Sequence, residues 1–361
     1  MERLHKLAAM ARANHCDGVL ITEAENLCYA TGFVGLEGMV LVTADGKGYC
    51  FTDSRYIEAA EKAIAPWGYQ VIQPDVSYPQ CVAQLCQEHK LESLLFEDQD
   101  MTVASHARYT AAVPAKLIPA GEAFSETREV KEEIEVERIV AAQRIAEKAL
   151  EEILPLIKPG AVEREVAAEL DYRMARLGST GVSFPTIFVS GAKSSLPHGT
   201  PGDKKIEAGD FVTIDFGAMV GGYHSDMTRT FAVGYATDEM KKVYDTVLRA
   251  QLAGLEAARE GANCRAVDSA ARDIIYANPA YHGTFGHGLG HGVGMYIHEA
   301  PRLSQGAAPD AVLERGHVVT VEPGIYLEGK YGCRIEDMIA IMPDGSMHNF
   351  TASPKEMIEL F

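Results

Sequence analysis

Acidic residues occupy matching positions in two similar segments of the chain. The segment EAGDFVTIDFG at 207–217 returns as ERGHVVTVEPG at 314–324, with the aliphatic run before each central acid kept in step. Each copy is followed by another strand-like run that carries one more acid. The four acids are Asp215, Asp226, Glu322 and Glu336. Two matching strand pairs therefore supply four carboxylates to what could be a single site.

The first copy is predicted to be a β-hairpin. Gly221 and Gly222 separate FVTIDFGAMV from YHSDMTRTFAV, and glycines at that point accept the positive φ angles of a two-residue turn. With that turn, Asp226 faces Gly217, and Asp215 is a diagonal neighbour of Asp226 on the same face. Diagonal neighbours have Cα atoms roughly 7–8 Å apart, so the two carboxylates can converge with room left by the glycine.

The second copy is predicted to be a hairpin as well. Its loop is EGKYG at 328–332, between HVVTVEPGIYL and CRIEDMIAI. Leu327 then pairs with Cys333, and Glu322 and Glu336 become diagonal neighbours on one face. Both hairpins are therefore expected to present two acids on the same side of the sheet, and Cys333 is expected to be a buried thiol.

Four carboxylates on one buried surface cannot all stay ionised without a compensating cation. Hard divalent ions prefer carboxylate oxygens, and carboxylates that bridge two ions about 3.5–4 Å apart form the two-metal arrangement of many hydrolases. The alternative is a set of solvated acids on an exposed sheet face, against which the apolar flanks and the duplication both count. We expect two divalent metal ions per chain, with Mn²⁺ preferred on ligand hardness and Co²⁺ or Zn²⁺ able to replace it.

A glycine-rich stretch, FGHGLGHGVGMYIHEAP at 285–301, offers histidines to such a site. Its glycines disfavour a helix and indicate backbone that passes close to another group. The stretch does not fit the G-x-G-x-x-G spacing of phosphate loops, and His287 and His291 lack the glutamate of H-E-x-x-H. The sequence therefore supports neither a nucleotide loop nor a helical zinc protease.

A second internal repeat links one more histidine to this stretch. KPGAVEREVAAELDYRM at 158–174 aligns with REGANCRAVDSAARDII at 259–275, and the same alignment brings His198 within one residue of His298. Each half of the repeat therefore supplies one equivalent histidine, and His291 is additional.

As an ordered set, these motifs resemble a known family. IDFG, YHSDMTRT, GHGVGMYIHEAP, TVEPGIY and RIED are similar to the pita-bread metallopeptidases, which include methionine aminopeptidase, aminopeptidase P and prolidase, the Xaa-Pro dipeptidase. The likeness is strong over residues 127–361. The earlier part resembles the creatinase-type N-terminal domain more weakly, through FTDSRYIEAAEKA at 51–63. Methionine aminopeptidases lack such a domain, so the prolyl branch fits the chain best.

The resemblance implies a set of metal ligands. Asp215 is a terminal ligand of one ion, His291 and Glu322 are ligands of the other, and Asp226 and Glu336 bridge the two. His291 has this role because it lies seven residues before the histidine of HEAP, as in the family. Five side chains from both halves of the repeat would therefore hold the metal.

The same resemblance places other polar residues around the ligands. His198 and His298 are expected to hold the substrate and to stabilise the tetrahedral intermediate, with His287 among the polar groups behind them. Arg334 is expected to orient the acidic ligands, although it could also be a plain ion-pair partner of the acids. Glu322 is the expected proton shuttle, since a carboxylate beside the nucleophile can carry its proton to the leaving nitrogen.

The implied activity is hydrolysis of the Xaa-Pro bond of a proline-containing di- or oligopeptide. That bond calls for a specialised enzyme because its nitrogen carries no hydrogen. We expect an Xaa-Pro dipeptidase, with an aminopeptidase P that acts on longer peptides as the alternative. Phe184, where some aminopeptidases P have tyrosine, favours the dipeptidase. A non-catalytic binding protein on the same scaffold, or a metal-free enzyme like creatinase, would lack ligands that are present here.

Composition and charge exclude other classes of protein. A hydrophobic content of 47% without a long apolar run indicates a soluble globular chain with no membrane span or signal peptide. A net charge of −18 argues against nucleic acid or anionic membranes as partners. The seven cysteines are odd in number, scattered and without Cys-x-x-Cys pairs, which indicates reduced thiols in a cytoplasm. The family resemblance suggests a homodimer.

Two domains of mixed α/β (α+β) type are expected from 361 residues. Residues 1–124, the creatinase-like domain, alternate six strand-like runs with helical stretches. Residues 125–361, the pita-bread catalytic domain, begin with one charged helix predicted over 125–157 and continue as two pseudo-symmetric α/β halves. His317, which matches Asp210 of the first copy, is predicted to lie at the surface.

Overall fold

The computed structural model describes residues 2–361, which form two compact units. One unit extends as far as Arg128, and the other is Glu129–Phe361. The domain boundary suggested by the sequence, between residues 124 and 125, lies inside a short helix (Ala123–Glu129) and stays a prediction. Among the helices of the described residues, none has both the length and the apolar character that a membrane span requires.

The first unit is built around one six-stranded mixed sheet. Its strands are β1 (Gly18–Ile21), β2 (Gly38–Thr43), β3 (Gly48–Thr52), β4 (Tyr69–Ile72), β5 (Ser93–Phe96) and β6 (Lys116–Pro119). The helices of this part of the chain are α1 (Glu2–Ala13), α2 (Ala24–Thr31), α3 (Ile57–Ile64), α4 (Tyr78–His89), α5 (Val103–Ala112) and α6 (Ala123–Glu129), with a 3₁₀ turn at Ala65–Trp67. The strand order is β4-β3-β2-β1-β5-β6, and all six strand-like runs of the sequence are confirmed as strands.

Both faces of this sheet are packed. In β1, Val19 and Ile21 belong to the apolar core on one face and Leu20 to the core on the other, and all three are fully buried. Successive residues of a strand point to opposite faces, so a continuous apolar run is what a central strand with two covered faces requires.

The second unit repeats one arrangement of helices and strands. Its first half has α7 (Glu133–Ile153), α8 (Glu163–Arg176), β7 (Ile187–Ser190), β8 (Phe211–Phe216), β9 (Met219–Val220), β10 (Tyr223–His224) and β11 (Met227–Val233). Its second half has α9 (Asp238–Ala257), α10 (Cys264–Tyr276), β12 (Gly290–Gly292), β13 (Glu299–Leu303), β14 (Val318–Val321), β15 (Gly324–Leu327), β16 (Tyr331–Arg334), β17 (Asp337–Ile341) and β18 (Met347–Asn349). The short strand β19 (Glu359–Leu360) returns to the first half. Three 3₁₀ turns lie at Leu154–Leu156, Gly191–Ser195 and Pro279–Tyr281.

Each half covers a sheet with a pair of helices. The first sheet has the order β19-β11-β8-β7 and packs against α7 and α8 through residues such as Leu170 and Ile214. The second sheet has the order β13-β12-β14-β17-β18 and packs against α9 and α10 through residues such as Val247 and Ile339. The expected division of this unit into two pseudo-symmetric α/β halves is confirmed.

The predicted register of the first hairpin is also confirmed. Pairing on both sides of Asp226, in β8–β11 and in β9–β10, keeps the register that places Asp226 beside Gly217. Gly221 and Gly222 have φ angles of 58° and 83°, as a two-residue hairpin turn requires. Residue 217 must be glycine, because an added Cβ would lie 1.8 Å from the carbonyl oxygen of Ser225.

The predicted register of the second hairpin is wrong by two residues. Leu327 pairs with Tyr331 instead of Cys333, because a turn around Gly329, with φ of 71°, closes the hairpin sooner. Gly332 was assigned to the loop but belongs to β16. There an added Cβ would lie 2.2 Å from a backbone carbonyl oxygen, so close packing, and no turn, explains this glycine.

The corrected register changes how the second pair of acids is related. Val321 pairs with Asp337. Glu322 follows Val321 and Glu336 precedes Asp337, so these two acids lie opposite each other instead of diagonally. In the first half, by contrast, Asp226 lies beside Gly217. The duplication is therefore inexact at the positions that carry the second acid of each pair.

The single charged helix predicted over 125–157 is wrong, because the structure separates α6 from α7. Glu132 has an extended backbone, with ψ of 162°, and begins α7 with a capping box. In it, the side chain of Glu135 accepts a hydrogen bond from the backbone N–H of Glu132 at 2.8 Å. This cap satisfies backbone donors that a continuous helix would have bonded internally, and so it fixes the break.

Two predictions about burial have opposite outcomes. His317 is only 4% exposed, so its predicted surface position is wrong. Its Nδ1 accepts the backbone N–H of Glu314 at 3.1 Å, and burial, with the nearby charge of Lys131, lowers its pKa to about 4. Cys333 is buried as expected. The other six cysteines are buried too, and no disulfide joins any pair within residues 2–361.

Candidate metal centre

The five predicted ligands line one cavity of the second unit, and the four acids among them lie at or next to the ends of strands. Asp215 is near the end of β8, Asp226 precedes β11, Glu322 follows β14, and Glu336 precedes β17, while His291 is the central residue of β12. All five line a cavity of about 560 Å³. The structure therefore brings together acids that the sequence distributes over two repeats.

Three of these residues form a group compact enough for one metal ion. The candidate ligand atoms of Asp226, His291 and Glu336 all lie within 4.8 Å of one another. Nε2 of His291 is 3.6 Å from Oδ2 of Asp226 and 3.3 Å from Oε1 of Glu322, so Glu322 borders the same space. Asp226 and Glu336 are 4% and 1% exposed, which leaves them little water to solvate a charge.

A backbone contact orients His291 toward the carboxylates. Its Nδ1 donates to the carbonyl oxygen of Gly292 at 3.0 Å. Nε2 therefore faces the oxygens of Asp226 and Glu322, where it can donate a proton to a carboxylate or, without that proton, offer its lone pair to a metal ion. Acceptors that face each other in a buried site are an arrangement that a cation stabilises.

Asp215 has one satisfied oxygen and one without a partner. Its Oδ2 accepts a hydrogen bond from Nη2 of Arg334, which confirms that the two residues are in contact. Its Oδ1 is buried and has no hydrogen-bond partner among residues 2–361. A buried acceptor without a partner is costly, so this oxygen is available for a metal ligand bond.

Burial and mutual repulsion disfavour the charged form of the acids. The pKa of Asp226 and that of Glu336 are raised well above the usual values, first because burial removes water and then because neighbouring carboxylates repel. Burial likewise raises the pKa of Asp215. Glu322 differs: burial opposes its ionisation, but the hydrogen bond and charge of His291 lower its pKa to about 2. The site therefore holds like charges that need a counter-ion.

The other predicted histidines line the same cavity. The ring of His298 stands edge-on to that of His291, with centroids 4.4 Å apart, and burial lowers the pKa of His298 to about 4. His198 lies on the cavity wall as well. His287 donates from Nδ1 to the carbonyl oxygen of Gly288 at 2.8 Å, and burial lowers its pKa too. The imidazoles of His287 and His298 are thus favoured in the neutral form.

Two residues of this network were missed from the sequence. Thr228 donates to Oε2 of Glu336 at 2.7 Å and accepts from Nε of Arg334 at 3.0 Å. The hydroxyl of Tyr326 accepts from Nη1 of Arg334 at 2.7 Å and lies 3.0 Å from Nε2 of His287. The predicted register of the first hairpin could have identified Thr228, because that register places Thr228 directly opposite Asp215. The contacts of Tyr326 could not be predicted in the same way, because the predicted register of the second hairpin was wrong.

Comparison with known proteins decides the family. Residues 137–343 match the model of metallopeptidase family M24, and residues 3–130 match the creatinase/prolidase N-terminal domain. The chain belongs to metallopeptidase family M24. It is 41% identical over 359 residues to the uncharacterized peptidase YqhT of Bacillus subtilis, which is 99% of this chain and 100% of that protein.

Solved structures of other M24 peptidases share the fold along the whole chain. An Xaa-Pro dipeptidase from Bacillus anthracis has a TM-score of 0.94 at 40% identity and covers 100% of this chain and 99% of its own. An X-Pro aminopeptidase from Thermotoga maritima MSB8 has a TM-score of 0.90 at 34% identity and covers 97% of this chain and 99% of its own. The expected prolyl branch and the combination of a creatinase-like domain with a pita-bread domain are confirmed.

M24 peptidases depend on divalent metal, and the residues of this site fit such an ion. Most donors are carboxylate oxygens with a single imidazole, which suits hard divalent ions. The open Oδ1 of Asp215, the lone pair on Nε2 of His291 and the raised pKa of Glu336 each indicate a cation at this place.

The substitution Glu336→Ala is expected to remove metal and turnover together, because it deletes the most buried carboxylate of the group. After reconstitution with Mn²⁺, elemental analysis should find fewer ions than the roughly two expected for a two-metal hydrolase. The matched control is Glu328→Ala, an exposed acid in the turn between β15 and β16, which should keep both. Full metal content and turnover in the Glu336 variant would refute the ligand assignment.

Metal binding is expected to release protons. The pKa values of Asp226 and Glu336 are raised, so the metal-free site keeps protons above the usual carboxyl range near pH 4, and an entering cation displaces them. Metal affinity should therefore rise with pH until both groups are ionised. Titration calorimetry in two buffers of different ionisation enthalpy measures the release, and equal heats in both buffers would contradict it.

Proposed function

We propose that this M24 peptidase hydrolyses the Xaa-Pro bond of short peptides, with Xaa-Pro dipeptides as its main substrates. Two divalent ions, Mn²⁺ in preference to Co²⁺ or Zn²⁺, are bound by Asp215, Asp226, His291, Glu322 and Glu336. Asp226 and Glu336 would be ligands of both ions. The carboxylate-rich cavity and the likeness to a solved Xaa-Pro dipeptidase over the full chain support this assignment.

When bound, such ions polarise the scissile carbonyl and lower the pKa of an attacking water. Glu322 moves the proton: it is ionised at neutral pH, since its pKa is about 2, and its Oε1 borders the ligand group. It takes the proton of the water and delivers it to the leaving proline nitrogen. That nitrogen carries no hydrogen in the peptide, so the delivered proton is what allows it to leave as an amine.

The histidines on the cavity wall stabilise the charge that develops on the carbonyl oxygen. His298 has a pKa of about 4, so at neutral pH its ring is uncharged and can donate one N–H to the oxyanion. His198 lines the same cavity and contributes a second donor. Arg334 holds Asp215 from behind, together with Tyr326, and so keeps the carboxylate oriented.

Arg302 is the observation that favours a dipeptide. It lies opposite His291 in the β12–β13 pair, lines the cavity and is exposed. Its side chain makes no hydrogen bond or ion pair to another residue in 2–361, so the guanidinium is available for an anion. A dipeptide ends in a free carboxylate directly after the scissile bond, and a guanidinium binds a carboxylate in a two-point hydrogen-bonded pair.

An Xaa-Pro aminopeptidase acting on longer peptides is the second candidate. It is favoured by the similarity to the solved X-Pro aminopeptidase, whose TM-score is close to that of the dipeptidase. Phe184 lines the cavity where a hydroxyl-bearing side chain would add a polar contact, which favours the dipeptidase. A non-catalytic role is disfavoured, because all five candidate ligands are present.

We further propose that the protein is cytoplasmic and forms a homodimer. We propose no nucleic-acid or membrane partner for it, and a domain boundary between residues 124 and 125. The buried, unbridged cysteines support a reducing compartment, and the net charge of −18 opposes binding to anionic polymers and membranes. The homodimer rests on the family resemblance, and size-exclusion chromatography with light scattering measures it.

Peptide length decides between the two candidate activities. With Mn²⁺ present, kcat/KM for Ala-Pro is expected to exceed that for Ala-Pro-Ala by about tenfold or more, because only the dipeptide places a carboxylate beside the proline ring. Both reactions release free alanine, and chromatography of the released alanine measures their rates. Turnover confined to the tripeptide would reject the dipeptidase in favour of the aminopeptidase.

Arg302→Met is expected to lower kcat/KM for Ala-Pro by about 10- to 100-fold, the effect of losing one hydrogen bond between charged groups. The matched control is the substrate Ala-Pro-amide, which has no carboxylate. Its turnover should change by less than about threefold, because little binding energy is then lost. Equal losses on the acid and the amide would show that Arg302 does not recognise the carboxylate.

A further inference from the structure

A buried ion pair lies behind the part of the cavity wall that carries His298. Nζ of Lys131 is 2.7 Å from Oε2 of Glu299, and the two side chains are only 1% and 4% exposed. An ion pair at that depth seldom stabilises a fold more than an apolar pair of the same size, because both charges lose their water. What such a pair can provide is a fixed geometry.

The lysine end of the pair is held by a rigid support. The backbone N–H of Lys131 donates to the carbonyl oxygen of Gly316 at 2.9 Å. Directly after Lys131, the capping box begins α7, and the hydroxyl of Tyr223 donates to Oε1 of Glu135 at 2.6 Å. The break between α6 and α7 thus places the ammonium group at a defined point.

The glutamate end of the pair holds the segment 294–299, which is called the wall segment below. Oε1 of Glu299 accepts the backbone N–H of Tyr296 at 3.2 Å, so one carboxylate spans the lysine and the segment. At its other end, the carbonyl oxygen of Gly294 accepts the backbone N–H of His224 at 2.9 Å. His298 is adjacent to Glu299 in the chain, so the contacts of the Glu299 carboxylate constrain the backbone that carries the His298 ring.

A glycine makes room for this carboxylate. A Cβ added at Gly294 would lie 2.3 Å from Oε2 of Glu299 and 2.9 Å from Cε of Lys131. Both distances are below ordinary contact, so a side chain at residue 294 would displace the ends of the Glu299 and Lys131 side chains. The tight fit is a second, independent indication that the wall segment is shaped around the ion pair.

We propose that Lys131 and Glu299 are positioning residues, which hold the wall segment so that the imidazole of His298 stands beside His291 and faces the cavity. They touch neither substrate nor metal and act through His298. The proposal deepens the proposed function and rests on it, since it assigns the role of placing a group that stabilises the transition state. A displacement of about 1 Å of such a group can lower a rate by about 100-fold.

The test is a double-mutant cycle between the ion pair and His298. The pair variant, Lys131→Met with Glu299→Gln, removes both charges and leaves no lone buried charge. In the unaltered background it is expected to lower kcat for Ala-Pro by about 10- to 100-fold. In the His298→Ala background it should change kcat by less than about twofold, because the group that it positions is absent. Gly294→Ala, which keeps both charges but displaces the carboxylate, should reproduce the loss.

Two controls distinguish positioning from general damage. Arg173→Met breaks one ion pair with Glu152, which joins α7 to α8, and one with Glu169 inside α8, and it should keep kcat within about twofold. Bound Mn²⁺, measured by elemental analysis, should stay at the unaltered level in the pair variant and in Gly294→Ala. Thermal unfolding confirms that each variant is folded before its kinetics are compared.

The outcomes separate this proposal from the proposed function. Two results would overturn the positioning role. One is that the pair variant lowers kcat by the same factor in the His298→Ala background as in the unaltered background. The other is full activity in either the pair variant or Gly294→Ala. Failure of the unaltered protein to cleave Ala-Pro counts against the proposed function instead. The cycle is then run with the peptide that the unaltered M24 peptidase does hydrolyse, and the same comparison decides.

Discussion

The structure of the second unit depends on the burial of like charges. Three carboxylates that are nearly excluded from water, together with a partly exposed fourth, share one cavity, and the guanidinium of Arg334 pairs with one of them, Asp215. Inside a protein such repulsion is several times stronger than in water, so acids without a counter-ion would take up protons. The raised pKa values of Asp226 and Glu336 show this in the metal-free geometry. Divalent ions resolve the conflict, which is why the site belongs to a metallopeptidase.

The fold holds these acids where its two halves meet. The backbone N–H of Glu336 donates to the carbonyl oxygen of Thr228 at 3.2 Å, which joins a strand of the first half to one of the second. Beside this contact, Arg229 pairs with Asp337 at 2.9 Å and donates to the carbonyl oxygen of Glu336 at 2.6 Å. These bonds fix the backbone of a candidate bridging acid from behind, so its side chain does not have to reach for the metal.

The sequence predicted local and repeated features well. The six strands of the first unit, the turn at Gly221-Gly222 and the convergence of the candidate ligands follow from patterns of two or more matching residues. Errors arose where one residue type has two explanations. Gly332 was interpreted as a turn residue but is a close-packing residue, and residues 130–132 were interpreted as helix although Glu132 is the N-cap of α7. His317 was matched to Asp210, which is half-buried and accepts the backbone N–H of Glu207 as His317 accepts that of Glu314, but only His317 is fully buried.

Contacts between distant segments were beyond the sequence for a physical reason. The pairing of Lys131 with Glu299, or of Arg334 with Tyr326 and Thr228, depends on side-chain positions that only the assembled sheets determine. A charged residue in a polar stretch is most often solvated, so its burial is not visible from composition. The supports of the site were therefore missed, whereas the residues facing the cavity were found.

The inexact duplication has a chemical consequence. In the first half, Asp215 is neutralised by Arg334, and Asp226 lies beside a glycine that leaves space next to it. In the second half, Glu322 lies opposite Glu336 and borders the imidazole of His291. A pair of ions bound here would occupy unequal environments, one close to the guanidinium of Arg334 and one close to the imidazole of His291. Arg334 donates to Asp215, whereas no guanidinium of residues 2–361 donates to Glu322, so the two acids are chemically unequal although the repeat makes them equivalent in sequence.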